Sequence, residues 1–293
     1  MKHITIKSPA KLNLVLDILG KRQDGFHELR TIFERIDLHD SITLKNRADG
    51  KVKVICAHPH VPKGPTNLVV KVAQRLRQEF GITQGVTIEI QKRIPVAAGL
   101  AGGSSNAASV LMGLNCLWQL KLSQEQLVLH ASAIGSDVAF FIHDTPYALG
   151  TGRGEQIKVL GIRTKLWHVL VTPKVKVLTK DVFKALNAKP TGGKKRLTYN
   201  RDNVSILLPF LRECKLVQIG QSLANDLEPA ILSLRPDFIL LKEKLKGGNP
   251  LGVCFSGSGP SVYALASSKA HALAIKAKFD KRYVQVFVVG TLL

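Results

Sequence analysis

The sequence predicts an α+β protein with two domains. Its 293 residues reach the size at which a single hydrophobic core usually stops growing, so two domains of ordinary size are expected. Segments that alternate like strands are interspersed with segments that have helical periodicity, and their order in the second half is typical of a small α+β sandwich. We place the boundary after a glycine-punctuated turn at 147–155, which gives domains 1–157 and 158–293.

The chain is strongly basic, with 42 Lys and Arg against 21 Asp and Glu and a formal net charge of +21. Eleven of the basic residues fall between Arg163 and Arg201, where Asp181 is the single acid. Such an excess suits a polyphosphate ligand or nucleic acid. Nucleic acid is the less favoured partner, because no recognised motif or aromatic interleaving accompanies the charge. We expect 189–201 to be a mobile basic loop.

No segment predicts export or a membrane partner. Lys7, Lys11 and Asn13 interrupt the apolar stretch that a signal peptide would need. No apolar run approaches a membrane-spanning length. We therefore expect a cytoplasmic protein.

The first predicted strand carries two candidate functional residues. Residues 4–8 alternate and run into 9–16, where Lys11 and Asn13 are two positions apart and so project to the same face. Such a pair could hold a phosphate and a hydroxyl, although without further context a solvated strand face is the better interpretation. A turn at 23–28 then presents Phe26 and His27 together.

The rest of the first half reads as alternating strands and helices. Segments 41–45 and 51–55 flank an Asp-Gly turn and predict a β-hairpin. The other predicted elements are an amphipathic helix at 67–80 closed by Gly81, a strand at 86–90, a small-residue helix at 107–118 and a short helix begun by a capping box at 123–126.

The stretch 95–108, PVAAGLAGGSSNAA, is the strongest candidate for a ligand site. Its glycines let the backbone curl closely around a ligand, its hydroxyls can donate, and the first N–H groups of the following helix point at negative charge. The plainer alternative is a flexible loop with a serine N-cap. No Gly-Lys-Ser/Thr follows and the spacing is not Gly-x-Gly-x-x-Gly, so this phosphate cradle is neither a Walker A loop nor a Rossmann fingerprint.

A lone carboxylate, Asp137, sits between a glycine turn and the apolar run 138–141. It either caps a helix or takes part in chemistry, and the residues alone favour neither. The predicted elements of the second half are strands at 167–172, 252–255, 262–265 and 284–289 and helices at 179–186, from 225–229 onward, at 238–246 and at 268–279.

Three separated motifs, 9–14, 95–108 and 257–261, occur in the order found in the GHMP kinases, and the chain resembles that family. Further motifs resemble the branch that uses ATP to phosphorylate the 2-hydroxyl of 4-diphosphocytidyl-2-C-methyl-D-erythritol in the non-mevalonate isoprenoid pathway: SPAKLNL at 8–14, DGFH at 24–27, GSDV at 135–138 and NDLE at 225–228. The resemblance spans nearly the whole chain. It implies a ribosomal-protein-S5-domain-2-like N-terminal domain, a ferredoxin-like C-terminal domain and an active site in the cleft between them.

The resemblance also implies roles for individual residues. Asp137 matches the catalytic aspartate, which accepts or orients the hydroxyl proton, and Lys11 matches the lysine that keeps it ionised and stabilises charge on the transferring group. Asn67 would lie near the adenine and 257–261 would border the phosphates. The ATP phosphates would be wrapped, with a serine near Mg²⁺, by Pro95, Val96, Ala97, Ala98, Gly99, Leu100, Ala101, Gly102, Gly103, Ser104 and Ser105.

On the substrate side, Phe26 and Phe183 match positions that stack on cytosine, and His27 matches the histidine that reads the base edge. Asn13 and Thr179 would contact the hydroxyl or diphosphate portion. Two alanines, Ala98 and Ala101, replace common loop glycines, which is expected to be harmless if φ stays negative there. The sequence identifies no Mg²⁺ ligands, and it fits a monomer or a homodimer.

Three alternatives stay open on the sequence. The first is another kinase of the same superfamily, of the homoserine or mevalonate type, which the Gly-Phe-His turn disfavours. The second is a basic nucleic-acid-binding module. The third is a binding protein without turnover, which the presence of both Lys11 and Asp137 disfavours.

Overall fold

The computed structural model describes residues 3–187, 202–280 and 284–293. The basic segment 189–201, for which a mobile loop is expected, lies outside the described residues. The chain forms two compact units, each assembled from several stretches: unit 1 comprises Met1–Ala10, Leu38–Val96 and Ala101–Asp144, and unit 2 comprises Lys11–Asp37, Ala97–Leu100 and Thr145–Leu293.

The elements of the described residues follow in chain order. The strands are β1 (His3–Lys21), β2 (His27–Arg47), β3 (Val52–Cys56), β4 (Gly85–Gln91), β5 (Tyr147–Gly152), β6 (Gln156–Val159), β7 (Trp167–Pro173), β8 (Ala224–Asn225), β9 (Gly252–Phe255), β10 (Val262–Ala266) and β11 (Val284–Gly290). The helices are α1 (Leu68–Glu79), α2 (Gly102–Leu117), α3 (Gln124–Ile134), α4 (Val138–Ile142), α5 (Thr179–Asn187), α6 (Asn203–Arg212), α7 (Leu216–Gln221), α8 (Glu228–Leu234), α9 (Phe238–Lys246) and α10 (Lys269–Ala277). None of these helices is long and apolar enough to cross a membrane.

Unit 1 is built on β4, which lies between β2 and β3. Strand β4 pairs antiparallel with Ser41–Arg47 of β2 and parallel with β3. The predicted hairpin between 41–45 and 51–55 is therefore wrong. The start of β4 occupies the space that a hairpin partner would need: Val86 N donates to Lys51 O at 2.9 Å, and a Cβ on Gly85 would stand 2.3 Å from that oxygen.

Helices α1 and α3 of unit 1 begin as their local sequences predict, whereas α2, expected at 107–118, begins at Gly102. Asn67 is the N-cap of α1, and Gly81 follows the helix at φ 61°. Ser123 caps α3 with both bonds of a capping box formed. Helix α1 packs against α2 and β3, and α2 packs against α3 and α4.

Unit 2 contains the predicted α+β sandwich. Its four-stranded sheet has the order β11-β7-β10-β9, with every neighbouring pair antiparallel. Apolar side chains from this sheet meet those of α5, α8, α9 and α10 in one core, represented by Val171, Val182, Ile231, Phe255 and Ile275. Of the expected turn at 147–155, the part Tyr147–Gly152 is instead strand β5, paired with β2 and β6. Helix α6, which contains Pro209, and the short helix α7 were not predicted from the sequence.

A buried polar network ties the last described residues of unit 2 to β2 and β7. The Glu34 carboxylate is fully buried; it lies 2.8 Å from His168 Nε2 and accepts a bond of 2.7 Å from Thr291 Oγ1. Thr291 Oγ1 in turn accepts from Leu166 N at 2.8 Å. The hydroxyl of one threonine thus satisfies a buried carboxylate and a buried amide together.

We expect Thr291→Val to lower the free energy of unfolding by about 1–3 kcal/mol, because the isosteric methyl leaves Glu34 and the Leu166 amide without that partner. Urea denaturation measures the change. The matched control is Thr5→Val, whose hydroxyl bonds to Thr43 at an exposed position; it should stay within about 0.5 kcal/mol of the parent. Equal losses in the two variants would contradict the role given to Thr291.

Candidate active site

Lys11 and Asn13 lie side by side on β1 and are buried, at 4% and 2% exposure. The Lys11 ammonium donates to Asn13 Oδ1, and Asn13 Nδ2 donates to Thr31 Oγ1 at 2.8 Å. The two side chains share a face, as predicted, but a solvated strand face is wrong. A buried ammonium needs compensating partners, so this lysine is held in place rather than free in water.

A glycine turn from the second half of the chain stands next to this pair. A Cβ on Gly257 would lie 3.3 Å from Asn13 Oδ1 and 3.4 Å from both Lys11 Nζ and Gly99 O. The turn is fixed by Asn225, whose Nδ2 donates to Phe255 O at 3.0 Å and to Gly257 O at 2.8 Å. The structure thus gathers parts of all three sequence motifs within unit 2.

The glycine-rich loop is pinned at Gly99. Gly99 has φ 74°, and a Cβ there would stand 2.0 Å from Ser256 O. Its carbonyl accepts from Ser256 Oγ at 2.9 Å, and the next carbonyl, of Leu100, accepts from Lys11 N at 3.3 Å. The two glycine-containing segments therefore touch backbone to backbone, which requires glycine at position 99.

Two alanines of the loop adopt left-handed backbone conformations. Ala97 has φ 54° and Ala101 has φ 52°. The expectation that φ stays negative is wrong at Ala101, whereas Ala98 is not among the residues with positive φ. For an L-residue this region costs about 1–2 kcal/mol, so the loop holds strain at two sites.

Helix α2 begins directly after the strained loop. Ala101 occupies its N-cap position, no side chain caps it, and its first turn contains no acidic residue. A serine N-cap is therefore wrong for this helix. Ser104, in the first turn, is half-buried, whereas Ser105 is fully buried with its Oγ 2.7 Å from Ser8 Oγ. Of the two hydroxyls, Ser104 is the one open to a ligand. An uncapped first turn without acids fits a bound phosphate.

Asp137 occupies the N-cap position of α4 but does not cap it. Its backbone is at φ −77°, ψ −8°, and its side chain makes no capping bond. The residue is half-buried. The helix-cap interpretation is therefore wrong.

The residues expected around the cytosine form two ring contacts. His27 is buried and stacks on Phe183, with ring centroids 4.9 Å apart and an interplanar angle of 27°. Its Nε2 lies 3.0 Å from Asn187 Oδ1. Phe26 is 54% exposed, and the Arg153 guanidinium lies over its ring at 5.0 Å. The structure brings His27 and Phe183 together and leaves the Phe26 side chain exposed to solvent.

The two remaining predicted residues hold structural bonds. Thr179 Oγ1 lies 2.8 Å from Ser258 Oγ. Asn67 accepts from Val69 N at 3.1 Å and donates to Pro62 O at 2.6 Å, so both ends of its amide are engaged. Four residues that contact the expected site residues had no individual role predicted from the sequence: Ser256, Ser258, Arg153 and Asn187. Ser256 and Ser258 lie in the run SGSGPS, where an unusual density of serine and glycine was the available signal.

Comparison with known proteins bears on this site. The profiles described as GHMP kinases N terminal domain and GHMP kinases C terminal match residues 67–145 and 207–285. Over 290 residues, 99% of this chain and 97% of the relative, the chain is 39% identical to the 4-diphosphocytidyl-2-C-methyl-D-erythritol kinase of Brevibacillus brevis. The chain belongs to the 4-diphosphocytidyl-2-C-methyl-D-erythritol kinase family.

Two further comparisons agree with that assignment. The kinase of the same name from Gloeobacter violaceus is 42% identical over 276 residues, 94% of this chain and 89% of that one. A crystal structure of 4-(cytidine 5'-diphospho)-2C-methyl-D-erythritol kinase matches with a TM-score of 0.80 and 28% identity, covering 99% of this chain and 100% of the other. The family and the two-domain GHMP kinase fold are confirmed, and the protein is an ATP-dependent small-molecule kinase.

We expect Gly99→Ala to destabilise this kinase by about 2–4 kcal/mol, because the methyl would overlap Ser256 O and the backbone would be held at positive φ. Gly103→Ala is the matched control. A Cβ at Gly103 meets nothing within 4 Å, and alanine in a helix is favoured by up to about 1 kcal/mol over glycine. Thermal and urea unfolding compare the two, and an equal loss in both would contradict the close approach at Gly99.

We expect Ala101→Gly to raise the free energy of unfolding by about 0.5–1 kcal/mol, since the relief of the left-handed strain exceeds the added entropy of the unfolded chain. Ala98→Gly, three positions earlier and without positive φ, should instead lower it by about 0.5–1 kcal/mol. Chemical denaturation under identical conditions gives both values. A loss of stability in Ala101→Gly would show that the strain is absent.

Proposed function

We propose that this kinase transfers the γ-phosphate of ATP to the 2-hydroxyl of 4-diphosphocytidyl-2-C-methyl-D-erythritol, giving the 2-phosphate and ADP. The observation that carries the proposal is the position of the buried Lys11 and Asn13 next to Gly99 and Gly257. A fixed cation beside two backbone turns suits the charge that develops during phosphoryl transfer. Family membership supplies the identity of the substrate.

For ATP, we propose that residues 95–105 wrap the phosphates. The uncapped first turn of α2 and the half-buried Ser104 face the negative charge, while Gly99 fixes the path of the loop. Asn67 is proposed to lie near the adenine. Among the residues that the structure describes, no group of three or more His, Cys, Asp or Glu could hold a metal. This fits Mg²⁺ that is bound mainly through the ATP phosphates, whose charge it neutralises, with Ser104 as the candidate hydroxyl.

For the transfer itself, we propose that Asp137 accepts the proton of the 2-hydroxyl or orients it toward the γ-phosphorus. The substrate oxygen then forms the new P–O bond as the bond to ADP breaks. Lys11 stabilises negative charge on the transferring group, and its contact with Asn13 fixes the ammonium in advance. Asn13 and Thr179 are proposed to contact the hydroxyl and diphosphate portion of the substrate.

For the cytidine end, we propose that Phe26 and Phe183 stack on the base and that His27 reads its edge. Stacking on an aromatic side chain contributes about 1–3 kcal/mol per base. Phe26 offers an exposed ring for this contact. His27 is oriented by Phe183 and Asn187, and its second ring nitrogen is proposed to bind the polar edge of the cytosine.

Some expectations stay predictions. These are a cytoplasmic location, a monomer or homodimer, and a domain boundary after residue 157. Among the described residues, no contact favours homoserine, mevalonate or nucleic acid as the ligand instead.

We expect Asp137→Asn to lower kcat about 10²–10⁴-fold, because an amide cannot accept the hydroxyl proton. The assay is ADP release from ATP and Mg²⁺ with 4-diphosphocytidyl-2-C-methyl-D-erythritol, run beside mevalonate and homoserine. Asp237→Asn, at an exposed carboxylate paired with Arg235, serves as control and should keep full activity. Turnover with another alcohol alone would refute the cytidine pocket, and an active Asp137→Asn would refute the role of Asp137.

A further inference from the structure

We propose that Asp40 is a positioning residue for the ATP loop: one buried carboxylate fixes the residues on both sides of 95–105 and so sets the path of the backbone between them. Asp40 lies on β2 in unit 1 and is fully buried. The inference rests on the proposed function only in taking 95–105 as the phosphate loop. It assigns Asp40 no contact with ATP.

One carboxylate oxygen holds the chain before the loop. Asp40 Oδ1 accepts from the backbone amides of Arg93 at 2.7 Å and Ile94 at 2.9 Å. These two residues directly precede Pro95, the first residue of the loop. Backbone amides are held here, so the position of the chain itself is fixed, independently of the side chains at 93 and 94.

The other oxygen holds the chain after the loop. Asp40 Oδ2 accepts from Asn106 Nδ2 at 2.9 Å, and Asn106 is the residue that follows Ser105 in α2. The same Nδ2 lies 2.9 Å from Ser8 Oγ, which is 2.7 Å from Ser105 Oγ. The network therefore extends to the last residue of the loop.

A lysine completes the set of donors to Asp40. The Lys92 ammonium donates to Oδ2, and its side chain is only 6% exposed. With Arg93, Ile94 and Asn106, four donors occupy a group that can only accept, which matches the capacity of an ionised carboxylate. Burial of this charge would be unfavourable unless all of these partners were in place, so the arrangement has essentially one geometry.

The loop needs such external support. Three of its residues, Ala97, Gly99 and Ala101, have positive φ, and strained backbone persists only where the surrounding structure determines it. A displacement of about 1 Å in a group that orients reactants costs about 100-fold in rate. Release of either end of the loop should therefore weaken the binding and alignment of ATP while leaving the alcohol substrate's site unchanged.

The test is Asp40→Asn, which keeps the shape of the side chain. Whichever way the amide turns, its NH₂ group faces donors, either the backbone amides before the loop or Lys92 and Asn106 after it, so one end is released. We expect the Kd of ATP with Mg²⁺, measured by calorimetry, to rise at least tenfold. The KM for ATP should rise with it, while the KM for the alcohol substrate stays within twofold.

The matched control is Glu34→Gln, at an equally buried carboxylate of unit 2 that bonds to His168 and Thr291. It should lower the melting temperature yet leave the Kd of ATP within twofold. Equal changes in the Kd for the two variants, or an unchanged Kd in Asp40→Asn, would overturn the proposal. If Asp40→Asn fails to fold, Asn106→Leu is the alternative variant, because of the bonds to Asp40 it removes only the one from α2. An unchanged Kd of ATP in Asn106→Leu would also overturn the proposal.

The binding measurement separates this inference from the proposed function. Wild-type protein that binds ATP but does not phosphorylate the cytidylyl alcohol would refute the proposed function, and the comparison of Asp40→Asn with Glu34→Gln would still decide the role of Asp40. Wild-type protein that does not bind ATP would overturn the inference as well.

Discussion

The backbone contact between Gly99 and Ser256 is the constraint on which the proposed site depends. A side chain of any size at position 99 would meet the Ser256 carbonyl. The following residue, Gly257, lies against the Lys11 and Asn13 side chains, while the Gly99–Ser256 contact and the bond from Lys11 N to Leu100 O are made by main-chain atoms. Main-chain contacts of this kind leave little freedom to rotate, unlike contacts between long side chains.

Three buried charged residues, Lys11, Asp40 and Glu34, are each held by polar partners. Lys11 has Asn13 as a direct acceptor, and Asp40 accepts from four donors. Glu34 is shared between His168 and Thr291. An unpaired buried charge is strongly unfavourable, so these partners are what allow the charges of Lys11, Asp40 and Glu34 to be buried.

Much of the fold could be predicted from the sequence, because caps, glycine stops and periodicity are local signals. The α1 boundaries follow from Asn67 and Gly81, and both bonds of the predicted capping box at Ser123 are formed. The order of β2, β3 and β4 could not be predicted the same way. Which strands pair depends on contacts between residues that are far apart in the chain. An Asp-Gly turn between two strands does not prevent a third strand from pairing between them.

The candidate site also contains residues that the sequence indicates and residues whose environment depends on distant parts of the chain. Motif similarity identified the loop, Lys11 and Asp137, but the pattern at Lys11 and Asn13 alone favoured a solvated face, since burial depends on partners that alternation does not reveal. The positive φ of Ala101 was missed because alanine gives no local sign of a left-handed backbone. Asp40 was missed for a related reason: its four donors come from segments more than fifty positions away.

The insertion of β4 between β2 and β3 has a consequence for synthesis on the ribosome. When β3 emerges, its parallel neighbour does not yet exist, because the chain must extend through α1 to residue 91 before the pairing Val52 to Val86 and Cys56 to Ile90 can form. Until then both β2 and β3 present unpaired amides and carbonyls along the edge that β4 will occupy. Loop closure over that length must precede any gain from pairing, so β3 joins the sheet only after β4 has been made and not by extension of a local hairpin.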